Sequence, residues 1–173
     1  WVLFGLGIFL KKAKQIKVLQ HLLFPLIIVF ITVAIYGKTA TYDFIRYDSN
    51  EYIIENQHVR NGLSLQNIKW AFEFTKNTNT TYWHPITFIS HMVDCQLYWL
   101  NPFGHRLTNI VLHLLNAILL YSFLNWTTGA PFKSFFISIL FAIHPINVEG
   151  VIWIAERKNL LSSFFWLLAM MIY

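Results

Sequence analysis

The stretch HRLTNIVLHLLNAILLYSFLNW, residues 105–126, decides how the chain can fold. As a helix it would be roughly 33 Å long at ~1.5 Å per residue, enough to cross the ~30 Å hydrocarbon core of a bilayer. The whole chain has a similar character, because 56% of its residues are hydrophobic and only 12% are charged. Soluble domains carry about 25% charged residues. The composition therefore predicts a membrane protein.

Three further apolar stretches predict a polytopic arrangement. They cover residues 21–37, 131–145 and 159–173, and the last is cut off by the end of the chain. Because the chain opens on Trp1 and ends at Tyr173 inside an apolar run, we expect it to be a piece of a longer protein. The predicted fold class is all-α, with these stretches packed as a bundle of membrane spans.

Lysines before the first span predict its orientation. Lys11, Lys12, Lys14 and Lys17 precede residues 21–37, and basic residues favour the cytoplasmic side. Residues 38–104 and 146–158 then form two loops on the extracytoplasmic side, in a periplasm or a lumen. A cleaved signal peptide is the alternative interpretation of residues 21–37. The net charge of +5 is attributed to topology, since no basic stripe with interleaved aromatics indicates nucleic-acid binding.

The long outer loop, residues 38–104, predicts amphipathic helices at the membrane surface. In SLQNIKWAFEF, Ser64 is a candidate N-cap, and one helix face would carry apolar side chains. These are Leu65, Ile68, Ala71 and Phe72. The stretch HPITFISHMVDCQLYWL predicts a second such helix from Pro85, whose aromatics suit the membrane–water boundary.

A polar stripe runs along residues 105–126. His105, Asn109, His113 and Asn116 fall within roughly 80° of arc on a helix. Polar groups at membrane depth must turn inward and find partners. They either hold helices together or contact a substrate, and the spacing leaves both alternatives open.

Two polar clusters lie in the long outer loop. RYDSNEY holds Arg46, Asp48, Asn50 and Glu51, and YWHP holds His84. His84 and His91 are seven residues apart, so they would share a helix face with Asp94 beside them. A zinc site at these three residues competes with ordinary capping and surface hydrogen bonding.

The second outer loop, residues 146–158, is a short island of ionisable groups between two apolar runs. A helix starting after Pro145 would place Glu149 and Glu156 on one face, with Arg157 beside it and Lys158 roughly opposite. Arg157 and Lys158 predict a phosphate site, since arginine offers a planar fork and lysine a point charge. Pairing of the carboxylates with arginines of the bundle is the structural alternative. His144 precedes the island.

Three stretches carry a family resemblance. They are RYDSNEYIIENQHVRNGLSLQNIKWAF, WHPITFISHMVDCQLYWLNPFGHRLTNIVLHLLNA and LFAIHPINVEGVIWIAERKNLLSSFFW. Together they resemble the N-terminal membrane region of bacterial membrane proteins with tetratricopeptide repeats. They are also similar to the eukaryotic transmembrane and tetratricopeptide-repeat protein O-mannosyltransferases of the GT-C glycosyltransferase superfamily. The resemblance implies the N-terminal part of a GT-C-type bundle whose C-terminal repeats are absent from this piece.

The resemblance also implies an activity: inverting transfer of a sugar from a polyprenyl-phosphate donor to an acceptor, such as a protein hydroxyl, on the extracytoplasmic side. Asp48 matches the first acid of a pair that such enzymes carry after the first span. Ser49 stands where relatives commonly have the second acid. Asp48 is therefore the candidate base, or a ligand of a divalent metal ion.

The remaining candidates would bind the donor phosphate or the substrate. Such a transfer needs a base for the acceptor proton and electrostatic stabilisation of the departing phosphate. The candidate binding residues are Arg157, Lys158, His84, His144, Glu149, Glu156 and Glu51. Two other functions stay open: a non-catalytic membrane anchor for C-terminal repeats, which Ser49 favours, and a transporter lined by the polar stripe.

Overall fold

A computed structural model describes residues 2–44, 49–73 and 83–173, with side chains from residue 19 onward except that of residue 50. Every regular element in these ranges is helical, which confirms the all-α prediction. The helices are α1 (Val2–Tyr36), α2 (Gln57–Arg60), α3 (Leu65–Phe72), α4 (Pro85–Tyr98), α5 (Pro102–Thr128), α6 (Pro131–Ile143), α7 (Asn147–Ile152) and α8 (Arg157–Ile172). Short helical turns span Gly37–Thr41, Asn50–Ile54 and Ile154–Glu156.

Two helical segments are long and apolar enough to cross a membrane. They are Leu19–Thr41 and Pro102–Thr128, which contain all of the first and second predicted spans. The apolar helix α6 has only 13 residues and reaches about 20 Å, less than a full hydrocarbon core. A membrane protein is therefore supported, and crossing by residues 131–145 and 159–173 stays a prediction.

Helix α5 lies at the centre of the bundle, in contact with α1, α4, α6, α7 and α8. It runs antiparallel to α1, because its residue Asn125 lies 3.1 Å from His21 at one end while Tyr36 packs edge-on against His113 nearer the other. Gly129, at φ 63, ends α5 in the left-handed region that glycine adopts without strain, and α6 returns from there. Helix directions thus alternate as expected for the predicted spans.

The polar stripe of α5 holds the helices together. All four side chains are fully buried. His113 Nε2 lies 2.9 Å from the carbonyl of Ala142 in α6, and the Asn116 amide donates to the carbonyl of Leu160 in α8 at 3.0 Å. Asn109 and His105 also bond to neighbouring segments. These hydrogen bonds support the helix–helix interpretation, and contact of the stripe with a substrate stays a prediction.

Helix α3 begins where the sequence indicates and buries only part of the predicted face. The Ser64 hydroxyl accepts from the backbone N–H of Asn67 at 3.0 Å, which confirms the N-cap. Leu65, however, is 81% exposed, and Phe72 is 50% exposed. The buried positions are Asn67 and Ala71, because the Asn67 amide donates to the carbonyl of Gly62 at 2.8 Å. The predicted apolar face is right for Ala71 and wrong for Leu65 and Phe72, because the hydrogen bond of Asn67 turns that residue inward.

The junction between α4 and α5 is unusually tight. A Cβ added to Gly104 would lie 2.2 Å from Cγ of Tyr98, so only glycine lets the two helices approach this closely. Between them Trp99 adopts φ 55, rare for a residue other than glycine. The tight junction turns α4 back over the first turns of α5.

Arg106, in the first turns of α5, is a buried cation without a carboxylate partner among the described residues. Its side chain is 1% exposed and donates only to backbone carbonyls. Nε reaches the carbonyl of Tyr42 at 3.1 Å, one terminal nitrogen reaches that of Ile152 at 2.5 Å, and the other reaches that of Asp43. Arg106 thereby ties the segment after α1 to the end of α7.

Replacing Arg106 by leucine should destabilise the protein by about 2–4 kcal/mol, because three buried carbonyls lose their donors. The measurement is thermal unfolding of the full-length protein in detergent. Arg60→Leu is the matched control, since Arg60 is partly exposed and makes one hydrogen bond of 3.5 Å and a cation–π contact with Trp99. Its loss should cost at most about 1 kcal/mol. Equal effects of the two changes would contradict the assigned role of Arg106.

Candidate functional site

A polar cavity of about 230 Å³ lies between α5, α6, α7 and α8. Its wall carries the carboxylates of Glu149 and Glu156, both candidates from the sequence. Asn147, Asn159, Ser163 and His113 also line it. Two carboxylates with amide and hydroxyl groups suit hydrogen bonding to a polyhydroxylated ligand such as a sugar. The geometry thus brings two of the predicted site residues to one cavity.

The predicted single helix after Pro145 is wrong. Helix α7 ends at Ile152, Trp153 is extended, and a short turn leads into α8. The break persists because the carbonyls freed at the end of α7 find donors on α5. Asn109 donates to those of Val151 and Trp153, at 3.3 and 3.4 Å, beside the bond from Arg106 to Ile152. The interruption, and not a helical face, places both carboxylates on the cavity.

Lys158 and Glu156 form an ion pair at the edge of this cavity. Lys158 Nζ lies 2.6 Å from Glu156 Oε1, and the Asn159 amide donates to Oε2 at 2.6 Å. The lysine side chain is 27% exposed and lies 6.0 Å from the centre of the Tyr52 ring. The pair is thus reachable from outside. Tyr52 links it to the segment that follows Asp48 in the sequence.

His84 belongs to the same cluster. Partial burial lowers the pKa of its imidazole, and the charge of Lys158 lowers it further, while Glu156 opposes the shift. His84 is therefore neutral at neutral pH. With Lys158 and Glu156 it forms the second grouping of predicted site residues.

The remaining candidates lie elsewhere. Asp48, like Arg46, lies outside the described residues. Glu51 is exposed on the turn Asn50–Ile54. His144 is exposed too, where its Nδ1 accepts from the backbone N–H of Ile146 at 3.2 Å, and it does not line the cavity.

Arg157 is fully buried, in contrast to its neighbour Lys158. One terminal nitrogen lies 2.5 Å from Asp94 Oδ2 and also donates to the carbonyl of His105 at 2.8 Å. Nε donates to the side-chain oxygen of Asn109 at 2.7 Å, and the other terminal nitrogen lies 3.3 Å from the carbonyl of Ser90. The guanidinium therefore joins α4, α5 and α8 at one point. The sequence did not predict this pair, because the alternative considered there was pairing of Glu149 and Glu156 with arginines of the bundle, whereas Glu156 pairs with Lys158.

The three described residues able to hold a metal ion differ from the predicted set. His91, Asp94 and His105 are all buried and offer donor atoms within 4.8 Å of one another. His84 does not join them, because α4 starts at Pro85 and His84 has φ −132, outside the helix. The seven-residue spacing therefore does not act as a helical repeat. His105 takes its place through the tight turn between α4 and α5.

Sequence reasoning missed the pairing of Asp94 with Arg157 and the burial of Arg106. One signal was available: a charged residue in an apolar helix needs a buried partner. Arg106 stands three residues before Asn109 and seven before His113, so it lies on the same side of α5 as the polar stripe. Nothing local in the sequence, however, indicates which distant group each charge meets.

An all-helical bundle with two segments able to cross a membrane, and with a polar cavity against the middle of α5, is typical of a helical membrane protein. The chain is 29% identical over 144 residues to Protein O-mannosyl-transferase TMTC1 of Homo sapiens, covering 80% of this chain and 16% of that protein. It is 28% identical over 144 residues to Protein O-mannosyl-transferase TMTC2 of Homo sapiens. This alignment covers 81% of this chain and 17% of that protein. It is 25% identical over 166 residues to Protein O-mannosyl-transferase TMTC4 of Mus musculus. This alignment covers 86% of this chain and 22% of that protein.

These matches confirm the resemblance to the transmembrane and tetratricopeptide-repeat O-mannosyltransferases. The chain spans between 16% and 22% of the length of these curated relatives. No protein-family model matches the chain. No solved structure matches it either.

Replacing Asp94 by asparagine should destabilise the protein by about 3–5 kcal/mol, because it leaves the buried Arg157 charge uncompensated. The double variant Asp94→Leu with Arg157→Met should recover much of this loss, since no charge then remains buried. Thermal unfolding of the full-length protein, of Asp94→Leu, of Arg157→Met and of the double variant gives the coupling energy. Additive effects of the single changes would contradict the pairing.

Proposed function

We propose that the full-length protein transfers a mannosyl residue from a polyprenyl-phosphate donor to a protein hydroxyl on the extracytoplasmic side of a membrane. The observation that carries the proposal is the cavity with Glu149 and Glu156 on its wall and Lys158 with His84 at its edge. Similarity to protein O-mannosyl-transferases over 80% or more of the chain supports the reaction class.

The reaction needs few groups. A base takes the proton of the acceptor hydroxyl, and that oxygen attacks the anomeric carbon of the sugar. The bond from this carbon to the phosphate oxygen breaks, and the phosphate leaves with the electron pair. Asp48 is the proposed base, from its match to the acidic pair of the family. Lys158 stabilises the charge that develops on the leaving phosphate.

Lys158 suits this role better than Arg157. Its ammonium is partly exposed and has three donors, of which the Glu156 pair occupies one. Arg157 has its donors directed at Asp94, Asn109, Ser90 and His105, so it acts as a positioning residue. It holds the start of α8, and hence Lys158, against α4 and α5. His84 adds a neutral hydrogen-bond donor on the same side.

Glu149 and Glu156 fit the sugar. Carboxylates accept hydrogen bonds from two hydroxyls at once, and a cavity of about 230 Å³ has room for a single hexose ring. Glu156 connects the two groupings, because it lines the cavity and pairs with Lys158. The geometry assigns no role to Glu51 or His144. A divalent metal ion held by Asp48 is an alternative way to stabilise the phosphate.

A non-catalytic anchor for C-terminal repeats is the second candidate function. Ser49, which stands where relatives commonly have an acid, is fully buried, so the second acid is missing at an enclosed position. The transporter alternative is not favoured, because the stripe of α5 uses its polar groups to bind neighbouring helices. Sugar transfer by the full-length protein separates the first two functions, since an anchor shows none.

Asp48→Asn should lower the rate of mannosyl transfer about 10²–10⁴-fold while leaving thermal stability unchanged, because general-base assistance is lost. The assay uses full-length protein, a polyprenyl-phosphate mannose donor and an acceptor peptide. Glu51→Gln is the control, since Glu51 is an exposed carboxylate three residues away. Full activity of Asp48→Asn would remove Asp48 as the base.

Lys158→Met should lower kcat/KM for the donor about 10²-fold, because the methionine keeps the stem but not the charge that faces the phosphate. Lys158→Arg should restore part of this loss. The matched control is Lys69→Met on α3, where the lysine is exposed and lies outside the cavity wall. If Lys158→Met and Lys69→Met behaved alike, Lys158 would have no part in donor binding.

A further inference from the structure

The cluster of His91, Asp94 and His105 has a polar arrangement that protein contacts alone do not complete. It lies where α4 crosses the first turns of α5, and all three side chains are buried. Its geometry is independent of the proposed transferase activity.

His105 presents a lone pair to a carboxylate. Its Nε2 lies 2.9 Å from the carbonyl of Trp99, which can only accept, so Nε2 carries the hydrogen. In the neutral ring, Nδ1 is then a bare acceptor, and it lies 3.4 Å from Asp94 Oδ2. Two acceptors that face each other repel unless a cation lies between them. A ring N–H donated to a backbone carbonyl is also the usual way in which a metal-binding histidine is oriented.

His91 is the second indication. Its side chain is fully buried, and neither ring nitrogen has a hydrogen-bonding partner among the described residues. A buried neutral imidazole without a partner costs free energy, whereas the same imidazole is a ready metal ligand.

Asp94 completes the set. Its Oδ1 accepts from the hydroxyl of Thr108 at 2.8 Å, and Oδ2 forms the ion pair with Arg157. Metal-binding carboxylates are commonly oriented by such hydrogen bonds, and Oδ2 keeps a second lone pair on the side of His105. The separation of 3.4 Å between Oδ2 and His105 Nδ1 matches that of two donors in a tetrahedral zinc site, roughly 3.3 Å for bonds of about 2.0 Å.

We propose that His91, Asp94 and His105 bind one transition-metal dication of the zinc type. Two imidazoles and one carboxylate favour such an ion over Mg²⁺ or Ca²⁺, which prefer oxygen ligands. The ion would bridge α4 and α5 beside Arg157. It would thereby fix α4 to the bundle at the point where α8, which carries Lys158, begins.

A proton is the competing occupant. A hydrogen on Nδ1 would make His105 an imidazolium that donates to Asp94, and this would remove the repulsion without a metal ion. It would leave both nitrogens of His91 without partners, however. The side chain of His91 therefore distinguishes the two arrangements.

The test measures zinc in the full-length protein, purified without a polyhistidine tag, incubated with ZnCl₂ and desalted. The unmodified protein should retain about one zinc per chain, as a single three-ligand site requires. Its Tm should be higher than that of chelator-treated protein, because zinc binds the folded state. His91→Leu should lose both the zinc and the Tm increase. His21→Leu removes an exposed histidine far from the cluster and should lose neither.

The proposal is overturned if the unmodified protein retains no zinc, or if His91→Leu retains as much as His21→Leu. Cobalt binding to the unmodified protein gives a check that needs no variant. A visible d–d absorption band that zinc abolishes would support tetrahedral coordination, whereas no band at saturating CoCl₂ would contradict it. Metal content does not depend on sugar transfer, so this test and that of the proposed function fail separately.

Discussion

The buried ion pair of Asp94 and Arg157 is the interaction on which the rest of the site depends. Removing both charges from water is costly, so the arrangement persists only because the donors of the guanidinium find acceptors. Asn109, Ser90 and the carbonyl of His105 supply those matches. Because these groups come from α4, α5 and α8, the need to satisfy one guanidinium determines where three helices meet.

The two buried arginines solve the same problem in different ways. Arg157 has a carboxylate partner, whereas Arg106 is surrounded by three backbone carbonyls that irregular segments leave free. The interruption after α7 and the segment after α1 are therefore stabilised by α5 side chains. Irregular backbone within an apolar bundle is tolerated where such donors are present. The same interruption carries Glu149 and Glu156 onto the cavity, so the structural contacts and the candidate site residues share one segment.

The site combines a rigid buried half with an accessible half. Arg157, Asp94 and the histidines lie in the interior, while Lys158, Glu156 and His84 lie at the cavity edge. Adjacent residues, Arg157 and Lys158, thus serve opposite purposes because one points into the bundle and the other out. A phosphate would meet the mobile point charge of a lysine, held in position by a guanidinium that does not itself reach the ligand.

The sequence by itself determined the all-helical class, the two segments able to cross a membrane, the Ser64 cap and the buried stripe of α5. These follow from hydropathy, helical period and capping chemistry, which act over a few residues. It also indicated the family, through stretches spread over most of the chain. Only the tertiary structure decided that α3 buries Asn67, that α7 stops at Ile152, and that Asp94 meets Arg157 and His105. Those outcomes depend on which distant donor satisfies each buried polar group, and local sequence carries no information about the partner.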